Sequence, residues 1–517
     1  MREDEENKKC LKDLCLTNPS YDKMRIEQTK GDLLEDSYKW ILGHSDFNRW
    51  RYDDQCRLLW IKGDPGKGKT MLLCGIINEL KSTPADSLLS FFFCQGTDTR
   101  INNSRAVLRG LIYLLLEQQP SLLSHVREKY DHAGRSLFED ANAWVALSEI
   151  FKSILQDPSL KSTYFIIDAL DECVTGLPEL LEFTAQNSFT SSRVKWIVSS
   201  RNWPNIEERL ETAAQKVRLC LELNAESVSN AVSIYIQHKV DRLAQQKKYD
   251  NDIRHSVQEY LSENANNTFL WVALVCQNLE KISRRKTLSM LKVFPPGLGS
   301  LYKRMMEQIC SLEDDDVQLC KGILALVTIV YRPITVTELV SLVESLTHLS
   351  DDSESLYEVI GLCGSFLTIR ENVVYFVHQS AKDYLIKHTK SDIFPHGYAE
   401  GHRIIASRSL RAMSTTLRRD IYSLQDPGCS IAEVKSPDPD PLTPIRYACV
   451  YWIDHLCEIE SGHDEFGLGN NGKISVFLKE HFLHWLEALS LMRSMPSAVA
   501  AIRKLENLLN VRIHSYL

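Results

Sequence analysis

The stretch Gly63-Asp64-Pro65-Gly66-Lys67-Gly68-Lys69-Thr70 carries the clearest chemistry in the sequence. It matches G-x-x-x-x-G-K-[ST], a pattern that wraps backbone amides around phosphate oxygens. Glycine lets the backbone curl with its N–H groups pointing inward. A helix starting at the end of the stretch adds the partial positive charge of its N-terminus. Lys69 is expected to bridge the β- and γ-phosphates of a nucleotide and Thr70 to ligate Mg2+, with Met71 closing the binding stretch. The motif requires a strand before it and a helix after it. Residues 58–62 and 71–80 read as that pair.

A second acidic element follows about one hundred residues later, at Asp168-Ala169-Leu170-Asp171-Glu172. The apolar run 164–167 delivers Asp168 at its end, where it would hold the metal. Asp171 and Glu172 lie just past the strand, placed to orient or deprotonate an attacking water. Alone, such a cluster often caps a helix. Its spacing from the phosphate loop favours the catalytic reading. Ser199-Ser200-Arg201 ends another β-type run. Strand ends gather at the ligand crevice of a parallel sheet, so Arg201 is expected to sense the γ-phosphate.

The elements that must position these residues alternate. Short apolar runs at 57–62, 88–93, 164–168, 195–199 and 217–221 are separated by helical patterns such as 104–117 and 141–154. Brief, wholly apolar strands suit a sheet buried on both faces. Their alternation with helices predicts an α/β fold, a parallel sheet with helices on both sides. After residue 223 the pattern is helical, with segments at 225–245, 251–262 and 267–282. Pro295-Pro296-Gly297 marks a boundary. Helices at 301–311, 316–331 and 335–345, followed by strand-like runs at 366–369 and 373–377, predict a winged helix. A Pro-rich loop at 435–441 and a helical tail at 444–456 and 475–509 complete the chain. There is no internal period of a repeat array.

At 517 residues the chain is too long for one ordinary core. Hydrophobic residues make up 44% and charged residues 25%, a globular composition. A net charge of −8 gives no support to wholesale nucleic-acid binding. The charged start has no apolar core and is not a secretory signal. The longest apolar-rich stretch, 322–331, is too short to span a bilayer. The expected location is cytoplasmic. Fourteen cysteines without a CxxC pair read as small buried hydrophobes. Trp271, Trp452 and Trp485 read as core, and the acidic run 313–316 as a solvated helix start rather than a calcium loop.

Taken together, the phosphate loop, the acid-tipped run Asp168-Ala-Leu-Asp-Glu172 and the strand ending Ser-Ser-Arg201 resemble the NACHT class of STAND nucleotide-switch ATPases, closest to the fungal NLR-like, heterokaryon-incompatibility type. Other stretches fit: Thr29-Lys-Gly-Asp32 onward, 92–95, 101–104, 107–112, 268–272, 376–384 and 483–489. The resemblance implies an N-terminal flank (1–34), a NACHT P-loop NTPase domain (35–222), a helical domain (223–293), a winged-helix domain (294–395) and a helical linker region (396–517). These close over ADP, and exchange for ATP opens them and permits homo-oligomerisation. Some members use GTP, so the nucleotide is ATP/ADP or GTP/GDP. His378 stands where the family's winged-helix histidine touches the ADP β-phosphate, and Thr29–Asp32 where a segment packs near the base. The helical domain lacks the family's G-x-P motif and has residues 267–271 in that region. Relatives of this type carry an effector domain before the core and repeats after it, and this chain reads as the core without either. The implied function is a slowly hydrolysing signalling switch. The alternatives are a non-hydrolysing nucleotide-binding scaffold and a cycling housekeeping ATPase.

Overall fold

The computed structural model describes residues 2–30, 33–82, 87–211, 216–349, 352–424, 429–431, 433–459 and 472–515. The chain divides into two compact units, 1–301 and 302–517.

The first unit is built on five strands: β1 (Leu58–Lys62), β2 (Ser87–Phe93), β3 (Ser162–Asp168), β4 (Val194–Ser200) and β5 (Lys216–Cys220). They pair in parallel in the order β2-β3-β4-β1-β5. In β1, Leu58, Leu59, Trp60 and Ile61 are all fully buried. Successive side chains of a strand point to opposite faces, so helices must cover both. On one face Phe165 stacks on Trp196 with ring centroids 4.5 Å apart, and Phe151 of the helix Ala143–Gln156 closes on Phe165 at 5.0 Å. The helix Ser104–Gln118 starts at a cap, where Asn103 accepts the Ala106 amide at 2.9 Å.

Residues read as a polar flank form two helices, Arg2–Leu14 and Pro19–Lys30. Cys10 and Leu14 join the sheet's core. The buried Arg109 donates to the free carbonyls at the end of the first helix, Asp13 O at 2.6 Å and Leu14 O at 2.9 Å. That satisfies orphan acceptors of a helix C-terminus with a cation. After β5 come the helices Ala225–Lys247, Asn251–Asn264 and Phe269–Lys281. Trp271 is fully buried and donates to Pro295 O at 2.9 Å.

In the second unit, β6 (Ile334–Thr335), β7 (Leu367–Arg370) and β8 (Val373–Phe376) form an antiparallel sheet in the order β6-β8-β7. With the helices Asp314–Ile329 and Val336–Leu342 they make the winged helix. The acidic run opens the first of these helices, as expected. The helices Tyr398–Thr416, Arg446–Cys457, Lys473–Leu491 and Met495–Ser515 follow. The tail read as one helix over 475–509 is therefore two, broken where Arg493 takes a left-handed φ of 56°. Trp452 and Trp485 pack edge to face with ring centroids 5.7 Å apart. All fourteen cysteines are free thiols. No helix among the described residues is long and apolar enough to cross a membrane.

Between the winged helix and these last helices lies a buried polar chain. The Tyr331 amide donates to Tyr447 Oη at 3.1 Å, Tyr447 Oη meets His455 Nε2 at 2.7 Å, and His455 Nδ1 meets His402 Nδ1 at 2.8 Å. Only one proton fits between two Nδ1 atoms, so the chain is satisfied with both rings neutral. An added proton leaves the Tyr447 hydroxyl without an acceptor. Burial, reinforced by His402, holds His455 well below the ordinary imidazole range, and burial lowers His402, opposed by Glu458. A depressed imidazole pKa means that the unfolded chain binds the extra proton first. Its contribution is therefore complete above about pH 6.5 and is lost as pH falls. Below pH 6.5, His455 should remove about 1.4 kcal/mol of stability per pH unit from this unit. Urea unfolding at pH 7.5, 6.5 and 5.5 reads this directly, and a slope unchanged in His455→Phe would disprove the assignment.

Candidate functional site

The ends of β1, β3 and β4 bring the sequence's candidates to one edge of the sheet. The phosphate loop links β1 to the helix Lys69–Ser82, with Gly66 at φ +80° and Gly68 at φ +86°. Only glycine takes these values without strain. A Cβ on Gly66 would also stand 2.8 Å from Thr268, and one on Gly68 3.0 Å from the Phe269 ring. Lys69 Nζ curls back to donate to Gly63 O at 2.5 Å and Asp64 O at 3.1 Å. Desolvation lowers its pKa, opposed by the carboxylates of Asp171 and Asp168 and aided by Arg201. Thr70 and Met71 follow in the first turn of the helix.

Asp168 is buried at the tip of β3 and accepts Ser199 Oγ of β4 at 2.5 Å. The same hydroxyl accepts the Ala169 amide at 2.9 Å. Ala169 is left-handed, with φ 55° and ψ 53°, a conformation that costs a non-glycine residue about 1 kcal/mol or more. That turn swings Leu170–Glu172 back over the strand ends. Asp171 is held twice by Arg201, through the backbone amide at 2.9 Å and Nε at 2.9 Å. Burial raises the Asp171 pKa, while Arg201 and Lys69 pull it back. Glu172 accepts the Gly96 amide at 2.9 Å, which ties the loop after β2 to the acidic turn. Asn102 O in that loop accepts the Val174 amide at 2.7 Å.

Of the candidates, Gly63 to Met71, Asp168, Asp171, Glu172 and Arg201 thus share one edge. His378 belongs to the second unit. There it caps the helix Gln379–His388, its Nδ1 accepting the Ser380 amide at 3.1 Å and meeting Ser380 Oγ at 2.8 Å. An accepting Nδ1 places the proton of a neutral ring on Nε2. Thr29 Oγ1 donates to Arg25 O at 2.5 Å, and Gly31 and Asp32 lie outside the described residues.

Sequence reasoning singled out residues 267–272 but did not foresee that this segment lies on the phosphate loop. Asn266 and Asn267 are both left-handed, with φ 47° and 55°. This turn sets Asn266 O 2.8 Å from Lys67 Nζ and the Leu270 amide 3.4 Å from Gly66 O. The doubled asparagine, a residue tolerant of this conformation, was the available signal. These residues fit a phosphate group and a divalent cation. The loop turns on two glycines at positive φ, the Lys69 ammonium rests on carbonyls, and Asp168 ends β3 with Thr70 in the first turn of the helix after the loop.

A phosphate loop on β1, an acid-tipped β3 and an intervening β4 that carries an arginine define a P-loop NTPase. Residues 36–201 match the family model described as Nephrocystin 3, N-terminal, and residues 306–395 that of GPI inositol-deacylase, winged helix domain. The Vegetative incompatibility protein HET-E-1 of Podospora anserina is 56% identical over 526 residues, covering 98% of this chain and 39% of that protein. The chain belongs to the NACHT-type P-loop NTPases of the fungal NLR-like class. It spans about two fifths of the length of the curated relative it matches. Among solved structures, the Walker-type ATPase of Pyrococcus abyssi shares 13% identity at a TM-score of 0.32, covering 69% of this chain and 95% of that one. The Orc1 protein of Aeropyrum pernix, in complex with DNA, shares 14% at 0.28, covering 65% and 87%. Likeness that slight carries no argument about function.

Proposed function

We propose that the chain is a nucleotide-dependent switch that takes up ATP or GTP with Mg2+, hydrolyses it slowly and acts in fungal NLR-like recognition or incompatibility. The observation that carries this reading is the arrangement of Lys69, Asp171 and Arg201. A desolvated ammonium rests on carbonyls, and the arginine beside it is held by a buried carboxylate. Both cations have an alternative partner in a phosphate. Amides of the loop would hold the phosphates while Lys69 turns from Gly63 O and Asp64 O toward them. Mg2+, held by Thr70 and Asp168, would supply charge neutralisation at the β- and γ-phosphates. Arg201 exchanging Asp171 for a γ-phosphate would free a carboxylate whose pKa burial raises. Asp171 and Glu172 could then orient and deprotonate water. The parts of this switch would be the NTPase domain (35–222), the helical domain (223–293), the winged helix (294–395) and the helical region (396–517), opening on exchange and associating with further copies.

The test is the nucleotide content of the purified protein, extracted and resolved by chromatography. Near-stoichiometric ADP or GDP supports a held switch and names its base. An empty protein turning over near the ~10 per second of ordinary enzymes would replace the switch with a cycling NTPase. His378 supplies a second test. The family resemblance sends this ring to the ADP β-phosphate, where its Nε2–H would be the donor. His378→Ala should raise the ADP release rate about tenfold, the value of one hydrogen bond to a charged group. His378→Asn keeps a capping side chain and should release ADP just as fast. If both variants release ADP at the wild-type rate, the ring has only its capping role.

A further inference from the structure

A second polar cluster lies on the phosphate loop, apart from Asp168, Asp171 and Lys69, and the nucleotide reading does not use it. Glu222, just past β5, accepts the Asp64 amide on Oε1 at 2.7 Å. Its other oxygen accepts Cys220 Sγ at 3.2 Å. Asn202, next in sequence to Arg201, donates to Asp64 Oδ1 at 3.2 Å, and its side chain also hydrogen-bonds Glu222. Three strand ends, those of β1, β4 and β5, are thereby joined through Asp64, by its amide to Glu222 and by its carboxylate to Asn202. A carboxylate beside a phosphate-binding loop repels the ligand, so electrostatics alone would disfavour it there.

The Asp64 peptide explains its presence. Its N–H is held by Glu222 and its carbonyl by Lys69. When Lys69 turns to a phosphate the carbonyl keeps only the Lys67 amide, at 3.4 Å, and Glu222 continues to hold the Asp64 amide. We propose that Glu222 is a positioning residue for nucleotide binding, acting through the Asp64 peptide, with Asn202 as its brace. The inference rests on the loop being the nucleotide site. Because Asn202 adjoins Arg201, the brace also ties the seat of the loop to the strand end that would sense the γ-phosphate.

Titration of the full chain with fluorescently labelled ADP tests it. Glu222→Ala should weaken binding about tenfold, the value of a charge-assisted hydrogen bond to a backbone amide. Turnover at saturating nucleotide should change much less, since the reacting groups are untouched. Glu222→Gln still offers a carbonyl oxygen to the Asp64 amide and removes the repulsion, so it should bind as tightly as wild type or more tightly. Asn202 is exposed, so Asn202→Ala folds. It should weaken binding about threefold, and not additively with Asp64→Ala. Alanine and glutamine variants of Glu222 that both bind more tightly would show a purely electrostatic group and overturn the proposal. So would affinities unchanged in both Glu222→Ala and Asn202→Ala. Wild-type protein that binds no labelled nucleotide overturns the nucleotide reading itself, and this inference with it.

Discussion

Lys69→Ala should leave the purified protein without nucleotide and weaken labelled-ADP binding by about 10² to 10³-fold. The size follows from what the side chain does without a ligand. Its ammonium is desolvated and rests on two carbonyls, Gly63 O and Asp64 O, which are weaker partners than a phosphate oxygen. Asp168 and Asp171 favour its charged form through space, at no cost to the direction it faces. A bound phosphate would exchange those carbonyls for full counter-charges in a partly desolvated site, worth about 3–4 kcal/mol. Alanine is the best helix former and stands at the start of Lys69–Ser82, so the fold should survive. Thermal melting of both proteins without nucleotide checks that point. Equal nucleotide content in wild type and variant would remove the phosphate loop from the binding site altogether.

Much of the frame was legible for a simple reason. Strands buried on both faces must be short and apolar, and each of the five lies within two residues of the apolar run that announced it. Their lateral order was not legible, because nothing in an apolar run says which neighbour it pairs with. That order is what places Ser199 of β4 against Asp168 of β3 and Arg201 against Asp171. The candidates themselves could be found from spacing, while their partners depended on parallel register. The first two helices escaped notice because their sequence is dominated by charge, with Cys10 and Leu14 the fully buried hydrophobes of the first. The first also docks through Arg109, hidden in the apolar run of Ser104–Gln118, whose guanidinium satisfies carbonyls rather than a carboxylate. Glu222 was silent for a related reason: one acid after a strand acquires meaning only when β5 lies beside β1. His378 was visible as a histidine at a strand-to-helix junction. Its capping bond is a matter of ring geometry that no spacing reveals.

Glu338→Ala should cost the second unit about 3–5 kcal/mol, the toll of removing one partner of a buried ion pair. Glu338 is 1% exposed and serves four donors. Arg332 reaches it twice, at 2.6 and 3.0 Å. The Thr335 amide donates at 2.9 Å, completing a capping box in which Thr335 Oγ1 accepts the Glu338 amide. The Tyr447 amide, at the start of a helix over one hundred residues on, donates at 3.0 Å. Alanine therefore strands a guanidinium and two amides together, while the helix loses half its cap. Glu338→Gln separates charge from hydrogen bonding. It still accepts through one oxygen but cannot serve Arg332 and both amides, so it should lose roughly half as much. Replacing Arg332 by methionine together with Glu338→Leu should recover only part of the loss, because the Thr335 and Tyr447 amides stay unmet whatever fills the volume. Urea unfolding followed through the buried Trp452 and Trp485 measures all three. If Glu338→Ala lies within about 1 kcal/mol of wild type, water must reach these donors and the site is not the joint between the winged helix and the last helices. If the ranking holds, the polar chain from Tyr331 through Tyr447 to His455 is anchored at its other end by Glu338, and the acid sensitivity of that chain should grow in Glu338→Gln.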